Sequence, residues 1–106
     1  MDLKKDAKIA GIVREAVSEF CKRESNRLSL ITITRVEMID HGKKAIAYFT
    51  VFPEDKEEEA LAFLKRSRSD IYKFMIGNTG LSFVPLIDVE IDIGEKNRQK
   101  IEGLRI

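Results

Sequence analysis

Cysteine is all but missing from this chain. Cys21 stands alone, so no disulfide can form within it. No apolar run approaches the roughly 20 residues that a membrane span needs, which argues against a membrane partner. The first residues, Met1-Asp2-Leu3-Lys4-Lys5-Asp6, are charged and lack the apolar centre of a secretory signal. A reducing cytoplasm is the expected setting. Proline occurs twice, at Pro53 and Pro85, and no linker, repeat or low-complexity stretch interrupts the 106 residues; residues 1–106 are expected to form one domain. Net charge is lacking too: nineteen Lys and Arg against eighteen Asp and Glu leave only +1. Nucleic-acid binders usually carry a basic excess, so any such contact here requires cations gathered locally and acids placed elsewhere.

What the chain does have is periodicity. Ile9, Ile12, Val13, Ala16, Val17, Phe20 and Cys21 recur at steps of three and four, predicting one apolar stripe on a helix from about Lys4 to Glu24. Ser25-Asn26-Arg27 breaks it. Leu30 to Met38 is dense in β-branched residues and reads as a strand. Its alternation slips phase between Ile31/Ile33 and Val36/Met38, which a bulge near Thr34-Arg35 would repair. Asp40-His41-Gly42-Lys43 supplies turn chemistry, and Ala45 to Phe52 returns as the second strand of a hairpin.

Pro53-Glu54-Asp55-Lys56 stops that strand and opens a helix. Glu57, Glu58 and Glu59 suit the positive end of its dipole, and Lys65, Arg66 and Arg68 suit the negative end. Ala60, Leu61 and Leu64 carry the apolar side. Helical propensity weakens at Ser67-Arg68-Ser69-Asp70, where Ser69 or Asp70 would cap a fresh helix carrying Ile71, Phe74 and Met75. Gly77-Asn78-Thr79-Gly80 ends it. After Pro85, the alternation from Leu86 to Asp92 predicts a third, half-buried strand. Beyond Gly94 apolar residues are sparse, Ile101 and Leu104 among them, so 94–106 is expected to be a short helix or a frayed tail. The pattern is α+β, a three-stranded sheet with helices on one face.

Several groups invite chemical readings. Asp88, Glu90 and Asp92 share one side of the third strand and could hold a cation or act as acid and base. Without a His or Cys nearby, the expectation is a solvated strand face. His41, the sole histidine, lacks a nucleophile partner and reads as a turn residue; Cys21, on the apolar stripe, reads as a core thiol. Neither a metal nor a cofactor is expected. Gly77–Gly80 has the GxxG form of a phosphate-clamping loop, but Leu81 to Pro85 is too short and β-like for the second helix such a loop joins. The densest basic run is Lys65-Arg66-Ser67-Arg68-Ser69-Asp70-Ile71-Tyr72-Lys73. It falls where two helices meet, so backbone N–H groups, serine hydroxyls and Tyr72 could join the cations in contacting RNA.

The stretches Asn26-Arg27-Leu28, Ile31 to Met38, Lys44 to Thr50 and Pro85 to Asp92, in that order, resemble the ribosome-binding factor A family. Ile101 and Leu104 fit that family's closing helix, so the likeness spans nearly the whole chain. The resemblance implies a type II KH-like domain ordered α-β-β-α-(kink)-α-β, without enzyme activity. It implies a partner in the small ribosomal subunit and its rRNA during late maturation, and a role in growth in the cold. The family's Ala-x-Gly kink falls on Ser67-Arg68-Ser69. Tyr72 replaces an arginine common just after the kink, and Leu86 replaces an acidic residue after the proline. The expected RNA-contacting set is Lys65, Arg66, Ser67, Arg68, Ser69, Tyr72, Lys73 and Arg27, on a monomer. The competing expectation is a protein-binding adaptor on the same scaffold, its charged helices docking a protein instead of RNA.

Overall fold

The computed structural model describes residues 3–24 and 30–103. Helix α1 spans Leu3–Glu24, and strands β1 (Leu30–Ile39) and β2 (Lys44–Phe52) form the hairpin. Helices α2 (Glu57–Arg66) and α3 (Arg68–Asn78) follow, then strand β3 (Leu86–Ile91) and helix α4 (Ile93–Gly103). The sheet order is β1-β2-β3, with β1 antiparallel and β3 parallel to β2.

The hairpin has its bulge where the phase slip requires it. Ile33 pairs with Phe49 and Arg35 with Tyr48, leaving Thr34 between them without a partner residue. That extra residue keeps Ile31 and Ile33 on the same face as Val36 and Met38, against the helices. Asp40, His41 and Gly42 all take positive φ in the connecting turn, the conformation that Asp and Gly tolerate most readily.

The core lies between this sheet face and three helices. Val13, Val17, Phe20 and Cys21 of α1 meet Ile33, Ala45, Ala47, Phe49, Ile87 and Val89, while Leu64, Ile71 and Met75 close the other side. The alanines at 45 and 47 let the helices approach the central strand closely. Phe20 and Phe74 meet edge to face, with ring centroids 5.9 Å apart, the arrangement that aromatic quadrupoles favour.

Two boundaries differ from the sequence reading. The chain between Pro53 and α2 is a single 3-10 turn, Glu54–Lys56, before the α-helix proper begins at Glu57. The third strand stops at Ile91, because Asp92 begins the last helix. Its carboxylate accepts the Glu95 amide at 3.0 Å, and the Lys96 amide donates to its carbonyl at 3.0 Å, an N-cap in the usual geometry. The other carboxylate oxygen accepts the Thr34 hydroxyl at 2.5 Å and lies 3.5 Å from the Arg35 guanidinium. Asp92 therefore ties the bulge of β1 to the start of α4 and is buried, which corrects its placement on a solvated face. The tail is helical to Gly103 with no buried residue. Lys96 bridges Glu54 and Glu57 at 3.2 and 3.0 Å, and Lys100 reaches Glu54 at 3.2 Å. Leu104 lies outside the described residues.

These contacts yield two measurable expectations. The Asp92 carboxyl is held below the usual carboxylate range, by the Thr34 hydroxyl first, against burial, with the Glu95 amide and Arg35 adding to it. Its stabilisation is complete above the unfolded value near pH ~4 and fades as pH falls through the lowered folded value. Asp92→Ala is expected to cost about 1–2 kcal/mol in urea unfolding at neutral pH, with the difference from the parent shrinking in acid. Burial pushes the Cys21 thiol up to about 11, so Ellman's reagent should react with the native protein only as fast as it opens, and rapidly in urea.

Candidate nucleic-acid interface

The basic run straddles a break in the helix. Ser67, between α2 and α3, has φ −91° and ψ 2°, in the sparsely populated region between helix and strand. Its amide is shared between the carbonyls of Phe63 (3.0 Å) and Leu64 (3.1 Å), and its hydroxyl donates to Phe63 at 2.7 Å. Such back-bonding to the carbonyl four residues earlier bends helices. The Ile71 amide then donates to the Ser67 carbonyl at 2.8 Å, starting α3. The junction is Ser67 itself, and neither Ser69 nor Asp70 caps the new helix.

The expected site residues divide at this junction. Arg66, Arg68, Ser69 and Lys73 are exposed, and Lys65 is half-buried. Ser67 is buried, its hydroxyl committed to the bend. Tyr72 is half-buried and packs against the core. Arg27 lies outside the described residues. Arg68 turns back, its Nε donating to the Lys65 carbonyl at 3.1 Å, which satisfies a carbonyl at the negative end of α2.

A carboxylate that the sequence reading left on a solvated strand sits among these cations. Lys65 Nζ donates to Asp88 Oδ1 at 2.8 Å, Arg68 Nη1 donates to the same oxygen at 3.4 Å, and Lys44 Nζ lies 3.8 Å from Oδ2. The Val89 amide also donates to Oδ1, at 2.8 Å. Burial would raise the Asp88 carboxyl, but the Lys65 and Val89 hydrogen bonds and the Lys65 and Arg68 charges prevail and hold it low. One negative charge thus sits beneath three positive ones drawn from β2, α2 and α3. Period-two alternation places Lys44 and Asp88 on one sheet face; that β2 and β3 are neighbours, and that α2 ends beside β3, had no such signal.

The row Asp88–Glu90–Asp92 is dispersed by its contacts. Asp88 faces the cations, Glu90 is exposed, and Asp92 caps α4. Among the described residues, no group of three His, Cys, Asp or Glu side chains is placed to hold a metal ion. Another part of the open sheet face carries a group of its own. The Arg35 guanidinium covers the Tyr48 ring at 3.7 Å and lies 3.4 Å from Glu37, while the Tyr48 hydroxyl donates to Glu37 at 3.3 Å. An aromatic so covered is closed to base stacking on that side.

The glycine pair serves the end of a helix. Gly77 lies inside α3, Thr79 closes the helix through its amide and hydroxyl to the Met75 carbonyl, and Gly80 takes φ +69° just beyond. That is a helix C-terminus, where a left-handed residue reverses the chain; Val84 and Pro85 then pass through the core. Among the described residues no helix is long and apolar enough to cross a membrane.

Comparison with known proteins agrees with this architecture. The family model for ribosome-binding factor A matches residues 5–105. The chain is 30% identical over 107 residues to the ribosome-binding factor A of Thermobifida fusca, covering 98% of this chain and 71% of that one. It is 28% identical over 100 residues to that of Streptomyces griseus, covering 92% of this chain and 63% of that one, so it spans somewhat under two-thirds of that relative's length. Among solved structures, the crystal structure of ribosome-binding factor A from Thermus thermophilus superposes with a TM-score of 0.70 at 20% identity, over 81% of this chain and 94% of that one. A homology model of the Thermus thermophilus factor, fitted into a cryo-EM map of a 30S complex, gives 0.66 at 22% identity over 76% and 88%. At these identities the two structures speak to the fold, which is α+β and KH-like. The match over residues 5–105, together with the Thermobifida relative, places this chain in the ribosome-binding factor A family.

Proposed function

We propose that this protein is a non-catalytic assembly factor that binds small-subunit rRNA, or its precursor, during late maturation in the cytoplasm. The observation that carries this reading is the helix junction at Ser67, which brings Lys65 and Arg68 together at the Asp88 carboxylate, with Arg66 exposed beside them in the chain. Family membership supports the partner, since the related Thermus factor was fitted into a 30S complex. The factor acts by occupancy: it holds an immature RNA conformation and leaves when the subunit matures. Arg66, Arg68, Ser69, Lys65 and Lys73 make the contacts, mostly to phosphates, whose geometry positions a protein without reading sequence. Ser67 and Tyr72 shape and brace the junction. Arg27 is proposed as a further RNA contact.

Reversing two of these charges tests the reading. The variant Arg66→Glu/Arg68→Glu is expected to lose affinity for free small subunits in sedimentation. Its plot of log affinity against log salt should be shallower by about 0.7–0.9 per phosphate contact removed. Unchanged affinity would remove the junction from the interface. A shallow slope in the parent protein, with a protein partner that co-purifies after nuclease treatment, would transfer the function to a protein-binding adaptor.

A further inference from the structure

Asp88 is not part of the apolar core, yet it gathers cations from three separate elements. Lys44 from β2, Lys65 from α2 and Arg68 from α3 all come within 3.8 Å of one carboxylate. The site is open: Lys44, Lys65 and Arg68 are 43%, 40% and 49% exposed, and Asp88 is 21% exposed. Its donors are also held in place. The Arg68 guanidinium is fixed by its bond to the Lys65 carbonyl, and the Val89 amide is fixed by the strand. A phosphodiester carries the same single negative charge on two non-bridging oxygens. Two lysines and an arginine converging with a backbone N–H form the donor set that recognises one.

We propose that this convergence point is a phosphate subsite for RNA, and that Asp88 is a built-in competitor occupying it. The proposal rests on the RNA-binding reading and deepens it. With Asp88 in place the cluster carries a net charge of about +2 and the carboxylate faces any incoming phosphate with like charge, which costs binding in a site of reduced dielectric. Binding therefore requires the phosphate to take Lys65 and Arg68 from Asp88, and the carboxylate reclaims them on release. Such an internal exchange keeps affinity moderate, as suits a factor that must leave. It also accounts for a group that neither metal chemistry nor a solvated strand face explains.

Asp88→Asn tests this directly. The amide has nearly the same shape and keeps an acceptor for the Val89 N–H, but it no longer neutralises the lysines or the arginine. Affinity for a small-subunit rRNA transcript is expected to rise roughly fivefold at ~0.1 M salt, since the phosphate no longer has to displace a carboxylate from Lys65 and Arg68. In a second measurement, inorganic phosphate is titrated into each protein and backbone amide resonances are followed. Shifts at Arg68, Ser69 and Val89 in the variant, absent in the parent, are the expected result. If the variant binds the transcript no better than the parent, or more weakly, and phosphate leaves those resonances unmoved, Asp88 is a positioning ion-pair partner and the proposal is overturned. If neither protein binds the transcript while phosphate still moves the variant's resonances, the subsite stands and the ribosomal reading falls.

Discussion

The parallel pairing of β2 with β3 constrains everything that lies between them. A chain leaving the end of β2 must return the full length of the sheet before it can enter β3 alongside. It must make that return on the face that carries the apolar side chains. Run together without a break, the 10-residue α2, Ser67 and the 11-residue α3 would form a rod of about 33 Å. The six-residue β3 spans only about 20 Å. The helix has to bend to stay over the sheet, and Ser67 is where it does so. Its hydroxyl and amide satisfy carbonyls that the bend would otherwise leave without partners. The junction is first a solution to a packing problem, and the cations gathered there inherit their geometry from it.

The same constraint explains how a chain with a net charge of +1 can carry a basic surface. Helix α2 begins in Glu57, Glu58 and Glu59 and ends in Lys65 and Arg66, each set complementing one end of the helix dipole. Along the axis, Glu57 and Arg66 lie about 13.5 Å apart, beyond the screening length of ~10 Å in 0.1 M salt. The acids are further occupied at their own end, where Glu54 and Glu57 hold Lys96 and Lys100. Charge is therefore segregated by fold, and the overall balance says little about what a partner meets at the junction. Asp88 reaches the basic end from the sheet and pairs there with Lys65 and Arg68.

Polar contacts also do what burial does not for the last helix. α4 has no buried residue, so its position depends on Asp92 at its start and on two lysines reaching the head of α2. Asp92 joins that helix to Thr34, the bulged residue, and so couples the register of β1 to the placement of the C-terminal segment. The aspartates at 88 and 92, four residues apart, serve unrelated ends: one gathers cations at the junction, the other caps a helix.

Local rules were enough to read the elements. The three-and-four spacing in α1 could bury only one stripe. The phase slip between Ile33 and Val36 could be repaired only by an inserted residue. The serines at 67 and 69 weakened the helix where it bends, and the glycine at 80 could end it because its φ is free. The candidate cations at 65, 66 and 68 were legible for the same reason, being contiguous. What the sequence could not decide was which strand lies beside which, and therefore what faces the cations. Asp88 and Lys44 meet Lys65 and Arg68 only because β3 joins β2 in parallel and α2 ends beside it. Asp92 leaves the solvated face only because α4 starts there and the bulge reaches it. Periodicity fixes which way a side chain points along its own element, but the partner it finds depends on elements far away in the chain, and only their packing brings those together.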